Sequence, residues 1–317
     1  NTPSALAFNG NYLYYAELNG NKISKVDITE NTLSPITVVT GLNSPTDLAF
    51  KGDELYIAEL TGNKISKIDI TETIPTLTTV ISGLDGPFSI AFDDNELYIS
   101  EFLGKISKIN ISDITPNQTT IVNLSWQNTI RFNENVLYLA QFTAGKISKI
   151  NVTDVTPTAT TISSGIDYPQ GITLNDGNLF VSHYYENKIS KMELTNLTPI
   201  TIVTGLNNPT DLAIKDEILY IAEEGANKIS RLDLSTPLSI YDYKHYNSIK
   251  LFPNPSQNII RVSNLNETRN YEIYNILGEK VLDGILSKNE TIEIKHLIKG
   301  FYFLNFENGA TIKFLKN

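Results

Sequence analysis

Residues 45–70 read Pro-Thr-Asp-Leu-Ala-Phe-Lys-Gly-Asp-Glu-Leu-Tyr-Ile-Ala-Glu-Leu-Thr-Gly-Asn-Lys-Ile-Ser-Lys-Ile-Asp-Ile, and residues 77–84 add Leu-Thr-Thr-Val-Ile-Ser-Gly-Leu. Four short runs rich in β-branched and aromatic residues are separated by Gly, Asn, Asp and Pro, the pattern of successive antiparallel strands. No segment sustains helical spacing beyond two turns. The tetrapeptide Lys-Ile-Ser-Lys begins at Lys22, Lys64, Lys105, Lys146 and Lys188, and Lys-Ile-Ser-Arg begins at Lys228. Six copies, 40 to 42 residues apart, make each copy one supersecondary unit. Four strands in about 40 residues is a propeller blade.

Labelled A to D along each unit, the A strands are expected near residues 4–8, 46–50, 88–92, 128–132, 170–174 and 210–214. The B strands are expected at Leu13–Glu17, Leu55–Glu59, Leu97–Glu101, Leu137–Gln141, Leu179–His183 and Leu219–Glu223. The Lys-Ile-Ser segments form the C strands, read as half-exposed, with Lys and Ser outward and Ile inward. The sixth D strand is placed at Pro237–Tyr241. The expected fold is all-β: a six-bladed β-propeller over residues 1–243, followed by a small β-sandwich over 244–317. Asn1 opens almost directly on the first A strand, so the ring closes by side-chain packing or upstream sequence has been trimmed. Trimming of at least a signal peptide is favoured.

Lys and Arg number 25 against 35 Asp and Glu, a formal charge of −10, which argues against nucleic acid as a partner. No apolar run is long enough for a transmembrane helix. The chain has no cysteine, so disulfides, thiolate metal sites and cysteine nucleophiles are excluded. Residues 247–317 carry nine Lys or Arg against seven Asp or Glu, leaving the propeller at about −12.

The blades, with their Pro-x-Gly/Asp-apolar-Ala starts and Leu-Tyr-Ile-Ala-Glu centres, resemble NHL-type six-bladed propellers. That likeness implies architecture and little about activity. The last 70 residues contain Leu251-Phe252-Pro253-Asn254-Pro255, then Tyr274-Asn275-Ile276-Leu277-Gly278-Glu279-Lys280-Val281. Leu297-Ile298-Lys299-Gly300-Phe301-Tyr302 and Lys313-Phe314-Leu315-Lys316 follow. This order resembles the type A C-terminal sorting domain of the type IX secretion system, with Pro253, Asn254, Pro255, Gly278, Gly300, Lys313 and Lys316 as motif residues. The resemblance implies a domain that engages the type IX machinery, and a propeller that is secreted or held on the outer cell surface.

Candidate site residues come from the expected loop face of the ring. The B strands end in Glu17, Glu59, Glu101, Gln141, His183 and Glu223, and the A strands contribute Asp47 and Asp211, giving an expected acidic rim around the channel. In one reading each Glu pairs with the Lys opening the next strand, as in Glu17/Lys22, Glu59/Lys64 and Glu223/Lys228. In the other, the rim holds a hard cation, Ca2+ or Mg2+, or a cationic ligand. His183 is a candidate base or metal ligand. Arg131 stands where other A strands have Ala7, Ala49, Ala91, Thr173 and Ala213. It is expected to pair with a rim acid such as Glu101, to fill a local gap, or to anchor a carboxylate or sugar hydroxyl. Trp126, the only tryptophan, leads into the same blade. These departures mark blades four and five as the place to look for a site.

Two functions compete, with a purely structural surface protein as a third. One is an exported binding module for a glycan, peptide or protein. The alternative is a divalent-metal-dependent hydrolase or lyase of the lactonase-like or streptogramin-lyase-like kind, with its site at the acidic rim. No serine triad spacing, Walker loop, dinucleotide fingerprint or His-Glu-x-x-His motif is present.

Overall fold

A computed structural model describes residues 2–30, 33–126, 128–235, 251–263, 268–275, 279–287, 290–306 and 311–317. The chain divides into two compact units, Asn1–Leu238 and Ser239–Asn317.

The first unit holds six antiparallel sheets, each in sequence order. The first contains β1 (Pro3–Asn9), β2 (Tyr12–Glu17), β3 (Lys22–Asp27) and β4 (Ile36–Thr40). The second contains β5 (Pro45–Lys51), β6 (Glu54–Glu59), β7 (Lys64–Asp69) and β8 (Thr78–Ser82). The third contains β9 (Pro87–Asp93), β10 (Glu96–Glu101), β11 (Lys105–Asn110) and β12 (Thr119–Asn123). The fourth contains β13 (Asn128–Asn133), β14 (Val136–Gln141), β15 (Lys146–Asn151) and β16 (Thr160–Ser164). The fifth contains β17 (Pro169–Asn175), β18 (Asn178–His183), β19 (Lys188–Glu193) and β20 (Ile200–Val203). The sixth contains β21 (Pro209–Lys215), β22 (Ile218–Glu223) and β23 (Lys228–Asp233). Its expected fourth strand, Pro237–Tyr241, lies outside the described residues.

Burial peaks at the second strand of each blade and falls to the outermost. In β6 every residue after the first is buried, whereas β8 has no buried residue. A strand covered on both faces by neighbouring blades needs a near-continuous apolar run, which Leu-Tyr-Ile-Ala supplies. The same geometry corrects the expectation for the C strands. Their serines are not exposed: Ser24, Ser66, Ser107, Ser148 and Ser190 are all buried.

Adjacent blades pack through a recurring aromatic pair. Tyr14 meets Phe50 at 5.1 Å, Tyr56 meets Phe92 at 5.0 Å and Tyr98 meets Phe132 at 5.4 Å between ring centroids. The inner strands neighbour one another around the ring, and β1 lies beside β21. That closing seam uses the same parts: Phe8 meets Tyr220 at 5.1 Å, and Leu6 and Leu13 share a core with Ala213 and Ala222. The carboxylate of Asp211 accepts the Leu6 amide at 2.8 Å, and the Thr210 hydroxyl donates to the Pro3 carbonyl at 3.3 Å.

The second unit is a sandwich of a three-stranded and a four-stranded sheet. The first joins β24 (Leu251–Phe252), β25 (Ile259–Val262) and β28 (Thr291–Glu293). The second has the order β27 (Lys280–Leu286), β26 (Arg269–Asn275), β29 (Gly300–Phe306) and β30 (Thr311–Lys316). Ile260, Ile273, Ile294, Leu304 and Phe314 form the centre of its core. Two motif segments, far apart in the chain, meet here. The Asn254 side chain, between Pro253 and Pro255, donates to the Lys313 carbonyl at 3.2 Å and accepts the Leu315 amide at 2.9 Å. Ser256 adds a parallel bridge to Lys316, which is buried, and Gly300 opens β29. Gly278 lies outside the described residues. Asn254→Ala removes two hydrogen bonds worth about 0.5–1.5 kcal/mol each. Amide exchange at Leu315 is expected to accelerate about tenfold while that of Ile260 stays unchanged.

Candidate functional site

Equivalent positions of the six inner strands hold Ala5, Asp47, Ser89, Thr129, Gly171 and Asp211, of which Asp47, Ser89, Thr129 and Asp211 line the central cavity. Only blades two and six place a carboxylate there. Arg131, two positions further along β13, reaches across to both. Its Nη1 lies 2.9 Å from Asp47 Oδ2 and its Nη2 lies 2.7 Å from Asp211 Oδ1. Nη1 also donates to the Ser89 hydroxyl at 3.2 Å and to the Ile130 carbonyl at 2.8 Å. The expected pairing of Arg131 with Glu101 is therefore corrected. The channel offers two inward carboxylates, whereas Glu101 is already held inside its own blade.

Each carboxylate of this triad also stitches two blades. Asp47 Oδ2 accepts the Ser89 hydroxyl at 2.5 Å and the Ile90 amide at 2.9 Å, both from the third blade. Asp211 accepts the Leu6 amide of the first blade, as described above. Burial pushes the Asp211 carboxyl up to about 6 against the pull of Arg131, and the nearby charge of Asp47 adds to the rise. For Arg131 burial works against the charged form, but Asp211 and Asp47 outweigh it, so the guanidinium is held protonated more firmly than usual. Above it lies a cavity of about 70 Å3, lined in part by Ser4, Phe88, Gln170 and Glu224.

Of the residues expected to form the acidic rim, Asp47 and Asp211 line this cavity, whereas the acids ending the B strands, Glu17, Glu59, Glu101 and Glu223, do not. Each of these glutamates is buried within its own hairpin. Glu17 takes Lys22 at 3.2 Å and the Ser24 hydroxyl at 2.5 Å. Glu59 takes Lys64 at 3.3 Å, the Ser66 hydroxyl at 2.5 Å and the Asn43 amide at 2.8 Å. Glu101 takes Lys105 at 2.8 Å and the Asp85 amide at 2.7 Å. Glu223 takes Lys228 at 3.1 Å, the Asn207 amide at 2.9 Å and the Ser230 hydroxyl. Four blades thus use one acid to latch strand B to strand C, and in three of them that acid also holds the incoming loop. Gln141 keeps the serine bond, accepting Ser148 at 2.6 Å.

His183 makes the equivalent bond to Ser190 at 2.8 Å, and its Nδ1 lies 3.0 Å from Glu186, which also binds Lys188 at 2.7 Å. The carboxylate missing from the strand end is supplied by the loop. Burial and the Lys188 charge push the His183 pKa down despite Glu186, so the ring is neutral near pH 7. Among the described residues, no group of three or more His, Asp or Glu is placed to hold a metal ion. Between Asp47 and Asp211, the position a cation would take is filled by the guanidinium itself.

Sequence reasoning missed an aromatic cluster on the loop side of blades four and five. Phe142 meets Tyr168 at 5.2 Å, Tyr168 meets Tyr185 at 4.7 Å and Tyr184 meets Tyr185 at 4.9 Å. Trp126 is exposed and lies edge-on to Phe102 at 6.3 Å. Aligning the loops as well as the strands of the repeat would have revealed these rings.

The fold of the first unit is that of a β-propeller. Residues 250–316 match the family described as the secretion system C-terminal sorting domain. The protein is therefore exported, to the outer cell surface or beyond it. No curated protein matches the chain in sequence. Several solved structures share its fold. A catalytically inactive virginiamycin B lyase from Staphylococcus aureus with quinupristin is 20% identical, with a TM-score of 0.58, covering 82% of this chain and 92% of that one. Luciferin-regenerating enzyme is 12% identical, with a TM-score of 0.59, covering 75% and 88%. The nidogen/laminin complex is 18% identical, with a TM-score of 0.55, covering 62% and 78%. Among the described residues no helix is long and apolar enough to cross a membrane.

Proposed function

We propose that the propeller is a non-catalytic binding module, NHL-like in its blades, which the tail domain hands to the type IX machinery. The boundary between the two tasks falls at 243/244. Outside the cell the ring presents its loop face to a glycan, peptide or protein. The observation that carries this reading is the Arg131 triad. The polar groups at the centre of the ring are matched to one another, and the space above them is about 70 Å3. Sites that engulf a small molecule measure roughly 300–1,000 Å3. A ligand here lies across the face rather than inside the channel.

The lyase and hydrolase reading draws on the fold shared with virginiamycin B lyase, and it needs carboxylates open to a metal. Glu17, Glu59, Glu101 and Glu223 each already hold a lysine, so millimolar Ca2+ or Mg2+ is expected to leave the melting temperature within 1 °C. A dissociation constant a hundredfold below the ion concentration would add about 2.7 kcal/mol instead. Such a rise, detected by calorimetry, would favour the metal-dependent enzyme. A glycan and peptide array on the full chain tests the binding module itself, and an array with no retained ligand class counts against it.

A further inference from the structure

Five loops enter an inner strand through a residue with positive φ: Ser44 (50°), Gly86 (61°), Trp126 (61°), Tyr168 (46°) and Asn208 (48°). This left-handed conformation suits Gly and Asn and is disfavoured for bulky side chains. Trp126 and Tyr168 adopt it nonetheless, and they remain 52% and 43% exposed, so burial does little to offset the strain. The neighbouring Tyr185 is 59% exposed. Two adjoining seams of the ring therefore hold aromatic faces toward solvent at a conformational cost.

The charges beside these rings are predominantly acidic. Asp167 precedes Tyr168, Glu186 follows Tyr185, and Glu224 accepts the Tyr184 hydroxyl at 2.9 Å. Of the nearby cations, Lys188 is bound to Glu186 and Lys105 to Glu101. Lys146, paired in register with the uncharged Gln141, is the remaining lysine at a strand start in these blades. A cation over an aromatic face with a carboxylate at its edge is a favourable combination. The strongly acidic propeller draws cations toward it from a distance.

We propose that this face binds a basic segment of an extracellular polypeptide, its Arg or Lys side chains laid on Tyr168 and Tyr185 and neutralised by Asp167 and Glu224. This rests on the binding-module reading and names its ligand class. The guanidinium or ammonium group supplies the specificity, and an extended peptide suits a face without a deep cavity.

The test is a fluorescence-anisotropy titration of the full chain with a labelled peptide of alternating Arg and Gly. The control peptide carries citrulline, a neutral isostere, in place of Arg. The Arg peptide is expected to bind at least tenfold more tightly. The double variant Tyr168→Asn/Tyr185→Ser is expected to weaken it at least fivefold. Asn suits the backbone at 168, so a preserved melting temperature separates this loss from unfolding. Asp167→Asn/Glu224→Gln should weaken binding and flatten its salt dependence. Glu72→Gln/Asp113→Asn, in loops at the opposite end of the blades, should change it less than twofold. Equal binding of the citrulline peptide, or no effect of the tyrosine variant, overturns the proposal. So does equal weakening by the opposite-end variant, which would reduce the effect to net charge. A neutral oligosaccharide whose binding is lost in the tyrosine variant also overturns it, while leaving the binding module intact.

Discussion

Arg131→Met is expected to destabilise the propeller by about 3–5 kcal/mol, the range for removing one partner of a buried ion pair. At roughly 2–4 °C per kcal/mol for a domain of this size, the melting temperature should fall by about 6–20 °C. The cause is not the lost bonds alone. Asp47 and Asp211 remain buried, facing one channel, with their counter-charge gone. The Asp211 carboxyl, already raised by burial, is then raised further because Arg131 no longer pulls it down. A carboxyl whose folded pKa lies above its unfolded value binds more protons when folded, so stability is highest at low pH and declines as pH rises through that window. The variant's deficit should therefore be larger at pH 8 than at pH 5. Melts of both proteins at the two pH values read this directly. A variant melting within 2 °C of the parent at pH 8 would show that the triad does not hold the ring.

Gly171→Ala is expected to cost about 3 kcal/mol or more, at the upper end of what overpacking a well-filled interior does. Gly171 occupies the inner-strand position that carries Asp47 and Asp211 in other blades. A Cβ built there would lie 2.1 Å from the Thr210 carbonyl oxygen and 2.8 Å from the Asp211 Cα. Those atoms belong to the backbone of the next blade and cannot rotate away. The methyl group would wedge β17 from β21 and pull Asp211 from the guanidinium, so the two variants should be non-additive. Chemical denaturation of the single and double variants measures this. Strict additivity would mean that the seam and the triad are independent.

The ring was readable from the sequence because its period is written into residues that repeat for local reasons. Lys-Ile-Ser-Lys recurs since strand C turns an Ile inward and sets a hydroxyl and an ammonium near the end of strand B, which is an acid in four blades. The strands of the sandwich were also legible: Ile259–Val262 is β25, and Thr311–Leu315 falls within β30. What could not be read was contact across the ring. Arg131 lies 84 residues from Asp47 and 80 from Asp211. Nothing in a repeat of about 40 residues tells which blades face one another over the axis. Glu101, a rim acid in the preceding blade, is held by Lys105 and the Asp85 amide and does not pair with Arg131. The tyrosine cluster escaped for the opposite reason. Its members sit in loops, where the repeat is loosest and departures look like noise.

The seam between the sixth and first blades is assembled from pieces that recur elsewhere in the ring, a tyrosine against a phenylalanine as between the first and second blades and a carboxylate on an incoming amide as between the second and third. Among the described residues, that seam therefore carries no kind of contact peculiar to it. Circular permutants opened at any of the interblade loops should be interchangeable as scaffolds, and blades could be reordered by recombination without first inventing a clasp.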